Sequence, residues 1–226
     1  MSELEVKQQI KPGMFGMEIC ADNRRMDFDF SNEQILYTDQ KIDYLFIGDS
    51  ITQLWNLNVY FKTDKFLENR AIGGDTSTYM LKRFDADCIQ LHPKTAIMMI
   101  GTNDITRTEP DAWWKTQGEP EEVVMEEYKN NILKMIEKCD AAGIEVILCS
   151  VIPSKIAPPF NRVRRWKMTQ QMNEFLQSLG RTYVDYFSIL TEDGRSILDD
   201  LSLDGIHPNA KAYVRMAEKL RETICL

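Results

Sequence analysis

The chain has 226 residues, with 27 Lys and Arg against 35 Asp and Glu, for a formal net charge of −8. At 43% hydrophobic and 27% charged residues, its composition is that of an ordinary globular protein; it excludes a collagen, a coiled coil or a wholly disordered chain. The acidity argues against a clamp on a phosphate backbone or an anionic bilayer, so no nucleic-acid partner and no stable membrane insertion are expected.

Residues 1–20 carry early acids and no apolar signal-peptide core. Residues 1–40 show no convincing repeat or domain, and we read them as an N-terminal extension packed on one domain spanning 41–226. The first strand is Tyr44–Ile47, ending at Gly48, and a weaker one lies around Leu67 to Ile72. A helix carrying Met80, Leu81, Phe84 and Cys88 at helical spacing follows. The third strand, Ala96–Ile100, is apolar throughout and is expected to be buried on both faces. The stretch Arg107 to Pro120, with Trp113 and Trp114, is too long for a minimal strand-to-helix connection. A helix with Tyr128, Ile132, Ile136 and Cys139 stops at Gly143, a C-cap glycine. Next come a strand from Val146 to Val151, a helix with Met168, Met172, Phe175, Leu176 and Leu179, and a strand at Tyr183-Val184. The last helix holds Tyr213, Met216, Leu220 and Ile224. Short apolar runs alternating with helical periods predict a parallel sheet covered on both faces, with the methionines as core filling.

The cysteines, Cys20, Cys88, Cys139, Cys149 and Cys225, are odd in number, and no two are spaced C-x-x-C. That usage fits a reducing compartment, and a cytoplasmic protein is expected. With two histidines and no C-x-x-C there is no ordinary zinc set. Neither G-x-x-x-x-G-K-[ST] nor G-x-G-x-x-G occurs, so neither metal nor cofactor is expected.

In an open parallel sheet, ligands bind at the carboxyl ends of the strands. The loops leaving those ends carry Gly48-Asp49-Ser50, Gly73-Gly74-Asp75 and Gly101-Thr102-Asn103-Asp104, and further on after the fifth strand comes Asp204-Gly205-Ile206-His207. A serine nucleophile needs a base, itself oriented by a third group. His92 precedes a strand and belongs to the opposite edge, as a surface or capping residue, which leaves His207 as the base and Asp204 as its orienter. Ser50 N–H, Gly74 N–H and the Asn103 amide are candidate oxyanion donors. Taken singly, Gly73-Gly74 also reads as a turn, and Ser50 and Asn103-Asp104 as helix caps.

These blocks, in this order over roughly residues 43–222, resemble the SGNH (GDSL-type) hydrolase superfamily, with Ile51 where the GDSL name has Leu. Asn69-x-x-Ile72-Gly73-Gly74-Asp75-Thr76 is most similar to the intracellular platelet-activating-factor acetylhydrolase catalytic subunits and their bacterial relatives. The resemblance implies a three-layer α/β/α sandwich with a five-stranded parallel sheet of flavodoxin-like order. It implies metal-free ester hydrolysis through an acyl-enzyme on Ser50, with His207 as base and Asp204 as its orienter. Ser50 and Gly74 N–H and the Asn103 side chain would form the oxyanion hole, while Asp49 and Asp104 shape their loops. Dimerisation is an expectation from the family alone.

For the substrate, the sequence favours short acyl groups, acetyl first, on a sugar-like alcohol, with Trp113 and Trp114 as stacking faces. The alternative for the indoles is packing on the domain or at a subunit contact. Rival functions are a lipid-directed acylhydrolase, lysophospholipase or thioesterase, acyl transfer to another acceptor, and, outside enzymes, a flavodoxin-like binding module. Such a module would not need Asn103 and His207 together. Arg162, Arg164, Arg165 and Lys167 read as a solvated basic face, with an anion site as the alternative.

Overall fold

Strands β1 (Tyr44–Gly48), β2 (Leu67–Asn69), β3 (Thr95–Met99), β6 (Glu145–Cys149) and β7 (Thr182–Val184) form one parallel sheet in the order β2-β1-β3-β6-β7. A two-residue antiparallel ladder, β4 (Pro110–Asp111) with β5 (Thr116–Gln117), lies apart from it. The computed structural model describes residue 10 and residues 21–111, 116–155, 165–224 and 226. Trp113, Trp114, Arg162, Arg164, Cys20 and Cys225 lie outside the described residues.

The central strands β3 and β6 are apolar after their first residues, over Ala96–Met99 and Val146–Cys149, because both of their faces are covered there. Leu45, Ile47, Ala96, Met98, Val146 and Leu148 point into one core. Phe46, Ile97, Met99, Ile147, Cys149 and Val184, at the alternate positions, point into the other. The first core is closed by α1 (Ala21–Thr38), α4 (Ser77–Asp87), α6 (Glu121–Ala142) and α7 (Arg165–Ser178), through Ile35, Met80, Phe84, Tyr128, Ile132 and Met172. The second is closed by α3 (Leu57–Tyr60), α8 (Phe187–Leu190) and α9 (Ala210–Arg221), with Trp55 at its centre. The Trp55 ring centroid lies 5.5 Å from those of Phe61 and Tyr213. The architecture is a three-layer α/β/α sandwich of flavodoxin-like strand order.

Several boundaries differ from the sequence reading. The β2 ladder stops at Asn69 because the Asn69 side chain accepts the Ala71 N–H and turns the chain toward the glycines. The third strand starts one residue earlier, at Thr95, and the fourth ends at Cys149 rather than Val151. The 18-residue α1 was not legible as a helix. Its inner stripe is Arg25, Phe28, Asn32 and Ile35, at helical spacing but half polar, so no hydrophobic period marks it. The polar half docks on α4. The Arg25 guanidinium bonds Asp87, and Asn32 Nδ2 donates to the Ala86 carbonyl and to Asp87.

Candidate active site

Strand β1 runs into α2 (Ser50–Gln53) with only Asp49 between them, and Gly48 makes that junction possible. A Cβ on Gly48 would lie 2.1 Å from the Met99 carbonyl oxygen of the neighbouring strand, so only glycine fits. Asp49 is the N-cap, its carboxylate accepting the Ile51 N–H at 2.9 Å. Burial, with the charges of Asp75 and Asp104 adding to it, pushes the Asp49 carboxyl up to about 7. Ser50 is thereby the first residue of the helix, at the carboxyl edge of the sheet.

The facing loop, 202–209, is folded by its own side chains. Asp204 Oδ1 accepts the N–H groups of Ile206 and His207, and Ser202 Oγ lies 2.7 Å from the His207 carbonyl oxygen. Asn209 then caps α9 by accepting from Lys211 and Ala212 N–H. This loop sets His207 Nδ1 2.5 Å from Asp204 Oδ2 and His207 Nε2 2.8 Å from Ser50 Oγ. Burial opposes ionisation of Asp204, but bonds from the His207 ring and the two backbone N–H groups outweigh it and hold the carboxyl at about 2. An ionised Asp204 fixes the ring proton on Nδ1 and leaves Nε2 as an acceptor toward Ser50.

The glycine turn lies on the other flank of Ser50. Gly73 N–H donates to Gln53 Oε1 at 2.5 Å, and a Cβ on Gly73 would lie 3.5 Å from the Ser50 Cβ. Gly74 has φ 84, a backbone conformation that favours glycine. Asn103, in α5 (Thr102–Thr106), donates through Nδ2 to the Asp75 carbonyl at 2.9 Å, which ties the third block to the second. Asp104 accepts from Ser77 N–H and Oγ and so fastens the start of α4. Burial pushes its carboxyl up to about 6, against those bonds. Ser50, Gly74, Asn103, Asp204 and His207 therefore gather at one edge. His92, left-handed at φ 46 and just ahead of β3, belongs to the opposite one.

Other supporting residues were not visible in the sequence. Arg83, fully buried, bonds the Asp75 and Asp87 carboxylates and the carbonyls of Arg70 and Gly48. Its one signal is a cation on the inner stripe between Met80 and Phe84. Arg165 corrects the solvated-face reading: it is 8% exposed and paired with Glu109, whereas Lys167 is exposed as expected. Among the described residues no group of His, Cys, Asp or Glu is placed to hold a metal ion.

A sequence model of the GDSL-like lipase/acylhydrolase family matches residues 46–215. The chain is 24% identical over 160 residues to an acetylxylan esterase of Xylanibacter ruminicola, a match covering 65% of this chain and 32% of that protein. It spans about half or less of the length of the curated relatives it matches. Among solved structures, a GDSL-like lipase from Bacteroides thetaiotaomicron superposes with a TM-score of 0.71 at 22% identity, covering 90% of this chain and 97% of that one. An acetylxylan esterase from Geobacillus stearothermophilus superposes with a TM-score of 0.60 at 18% identity, covering 81% and 94%. At these identities the structural likeness is one of fold. The family model runs from β1 into α9 and takes in the Ser50, Gly74, Asn103 and Asp204–His207 blocks, so the chain belongs to the GDSL-like lipase/acylhydrolase family.

Proposed function

We propose that this chain is a serine esterase that hydrolyses short-chain, chiefly acetyl, esters of sugar-like alcohols through an acyl-enzyme on Ser50. The observation that carries the reading is the hydrogen-bonded series Ser50 Oγ, His207 Nε2 and Nδ1, Asp204 Oδ2, with links of 2.8 and 2.5 Å. Ser50 Oγ attacks the acyl carbon as Nε2 takes its proton, and Asp204 stabilises the imidazolium. The carbonyl oxygen becomes an oxyanion facing Ser50 N–H, Gly74 N–H and the second Nδ2 hydrogen of Asn103, the first being held by Asp75. Collapse expels the alcohol, which leaves with the proton from Nε2. Water, activated by the same nitrogen, then releases the acid and restores Ser50.

The acetyl-sugar preference is supported by the acetylxylan esterases among the similar proteins and by the Trp113-Trp114 pair in the sequence. A second reading, an acylhydrolase for longer or lipid acyl chains, is favoured by the exposed Leu203, at 96%, directly before Asp204, and by exposed Leu54 at the end of α2. The cytoplasmic setting rests on the cysteine pattern of the sequence. Among the described residues no helix is long and apolar enough to cross a membrane.

The test is one panel: p-nitrophenyl acetate, butyrate and octanoate beside acetylated xylo-oligosaccharides, for wild type and Ser50→Ala. Loss of about 10⁶-fold in kcat on Ser50→Ala is the expectation for such a nucleophile. Octanoate turning over faster than acetate would favour the second reading, and wild-type-like turnover by the variant would remove Ser50 from the mechanism.

A further inference from the structure

Arg165 is the first residue of α7, and four bonds from its guanidinium join segments distant in sequence. Nη1 donates to Glu109 Oε2 at 3.1 Å and Nη2 to the Thr102 carbonyl at 3.2 Å and Thr106 Oγ1 at 3.1 Å. Nε donates to Ser154 Oγ at 2.9 Å. Thr102 and Thr106 are the two ends of α5, the single-turn helix that carries Asn103. Five residues form too little helix to hold a shape unaided. Ser154 belongs to the segment leaving β6. Asn173 grips the start of that segment through both the N–H and the carbonyl of Val151. At its far end Lys155 N–H donates to the Gly205 carbonyl at 2.7 Å, inside the Asp204–His207 loop.

We infer that Arg165 is a positioning residue for ester hydrolysis: its guanidinium fixes α5, and with it the Asn103 amide, relative to the loop that presents His207. The inference rests on the serine-esterase reading. A guanidinium suits the task because it offers five donors in a fixed plane, and an ammonium cannot span the same acceptors. Simple stabilisation would not require it, since a buried ion pair contributes little net stability over an apolar replacement.

The test is a double-mutant cycle in kcat for p-nitrophenyl acetate, with thermal midpoints measured alongside. Arg165→Lys keeps the positive charge beside Glu109 but loses the planar fork. Displacement of a reacting group by about 1 Å costs up to about 100-fold, so kcat is expected to fall about 10- to 100-fold, with KM within about twofold. In the Asn103→Ala background, where the amide no longer needs placing, the same change should cost less than about threefold, the mark of residues acting through one another. Equal losses in both backgrounds, or a loss matching the unfolded fraction, would overturn the inference. Should Arg165→Lys not fold, Thr106→Val removes the Arg165 bond to Thr106 Oγ1, together with that hydroxyl's own bond to the Thr102 carbonyl, without stranding a buried charge. In the same cycle it should lower kcat at least threefold with Asn103 present and not with Asn103→Ala, and an equal or absent effect overturns the inference. Ser50→Ala separates the two levels. If hydrolysis survives Ser50→Ala, the esterase reading fails; if hydrolysis depends on Ser50 while the cycle is additive, only the role of Arg165 fails.

Discussion

Asp204→Asn changes one atom, and the geometry says what that atom does. Oδ1 of Asp204 accepts the N–H groups of Ile206 and His207, and an asparagine satisfies them by keeping its single oxygen there. The amide nitrogen then faces His207 Nδ1, where Oδ2 now sits at 2.5 Å. An NH2 cannot accept, so Nδ1 must become the acceptor and the ring proton must move to Nε2. Nε2, 2.8 Å from Ser50 Oγ, would then donate to the hydroxyl it is proposed to deprotonate. The loop keeps its bonds and the fold should survive. In a serine protease triad the same inversion lowers kcat about 10⁴-fold, which corresponds to about 5.4 kcal/mol of barrier. The assay is kcat for p-nitrophenyl acetate at pH 7 to 8, with the thermal midpoint as control. Activity within tenfold of wild type in folded protein would refute the tautomer argument. The same substitution should remove an acid sensitivity of the fold. Because the Asp204 carboxyl is held below its ordinary 3.8, at about 2, its stabilisation is present above pH ~4 and lost as pH falls toward 2.

Asn103→Ala should lower kcat by about 10²–10³ with little change in KM, since one lost oxyanion donor costs about 3–4 kcal/mol; a change confined to KM in the same assay would count against the role. Gly48→Ala should yield little folded protein or a midpoint reduced by many degrees. Overpacking typically costs ~1–3 kcal/mol, and a contact at 2.1 Å with backbone in the neighbouring strand can be relieved only by parting β1 from β3. Asp49 behaves oppositely to Asp204: its carboxyl is raised from 3.8 to about 7, so its contribution is fully present below pH ~4 and lost as pH rises through 7. Asp49→Asn, which can still cap Ile51, should flatten the fall of the thermal midpoint between pH 5 and 8, and an unchanged slope would show that Asp49 is not its source.

What could be read from the sequence was whatever is local. Ser50, Gly74 and Asn103 each sit in a short block beyond a strand's end and His207 in one just ahead of the last helix, and the blocks mark themselves by composition before any tertiary contact is known. The central strands were legible for the same reason, with both faces apolar over Ala96–Met99 in β3. What failed was recognition of polar groups turned inward. Helix α1 hides Arg25 and Asn32 on its buried stripe, so its period is invisible on a hydrophobicity scale. Arg165 sits among other basic residues and looks solvated. The groups that bury it, Thr102, Thr106, Glu109 and Ser154, come from between 11 and 63 residues away. Buried charges of this kind become intelligible only once their partners are in place.

Those inward charges explain how short loops can be held to a fixed geometry. Ser50 and Gly74 follow the ends of β1 and β2, where the last backbone bonds between the two segments run from Arg70 N–H to the Phe46 carbonyl and from Ile72 N–H to the Gly48 carbonyl. Arg83 adds to these bonds, meeting the carbonyls of Gly48 and Arg70 while its charge is balanced by Asp75 and Asp87. Asp87 in turn is held by Arg25 and Asn32 of α1, and Arg70 donates back to Asn32 and to Ser31. Arg83→Leu would fill the space, yet it would leave the Arg70 carbonyl without its donor and the Asp75 carboxylate buried without its cation, at a cost of roughly 1–3 kcal/mol for an unsatisfied group and more for a charged one, while the Gly48 carbonyl keeps Ile72 N–H and Asp87 keeps Arg25. An apolar contact also has no direction, whereas each bond of Arg83 fixes one. The packing of α1 on α4 and the aim of the glycine turn at Ser50 are thus parts of one charge network.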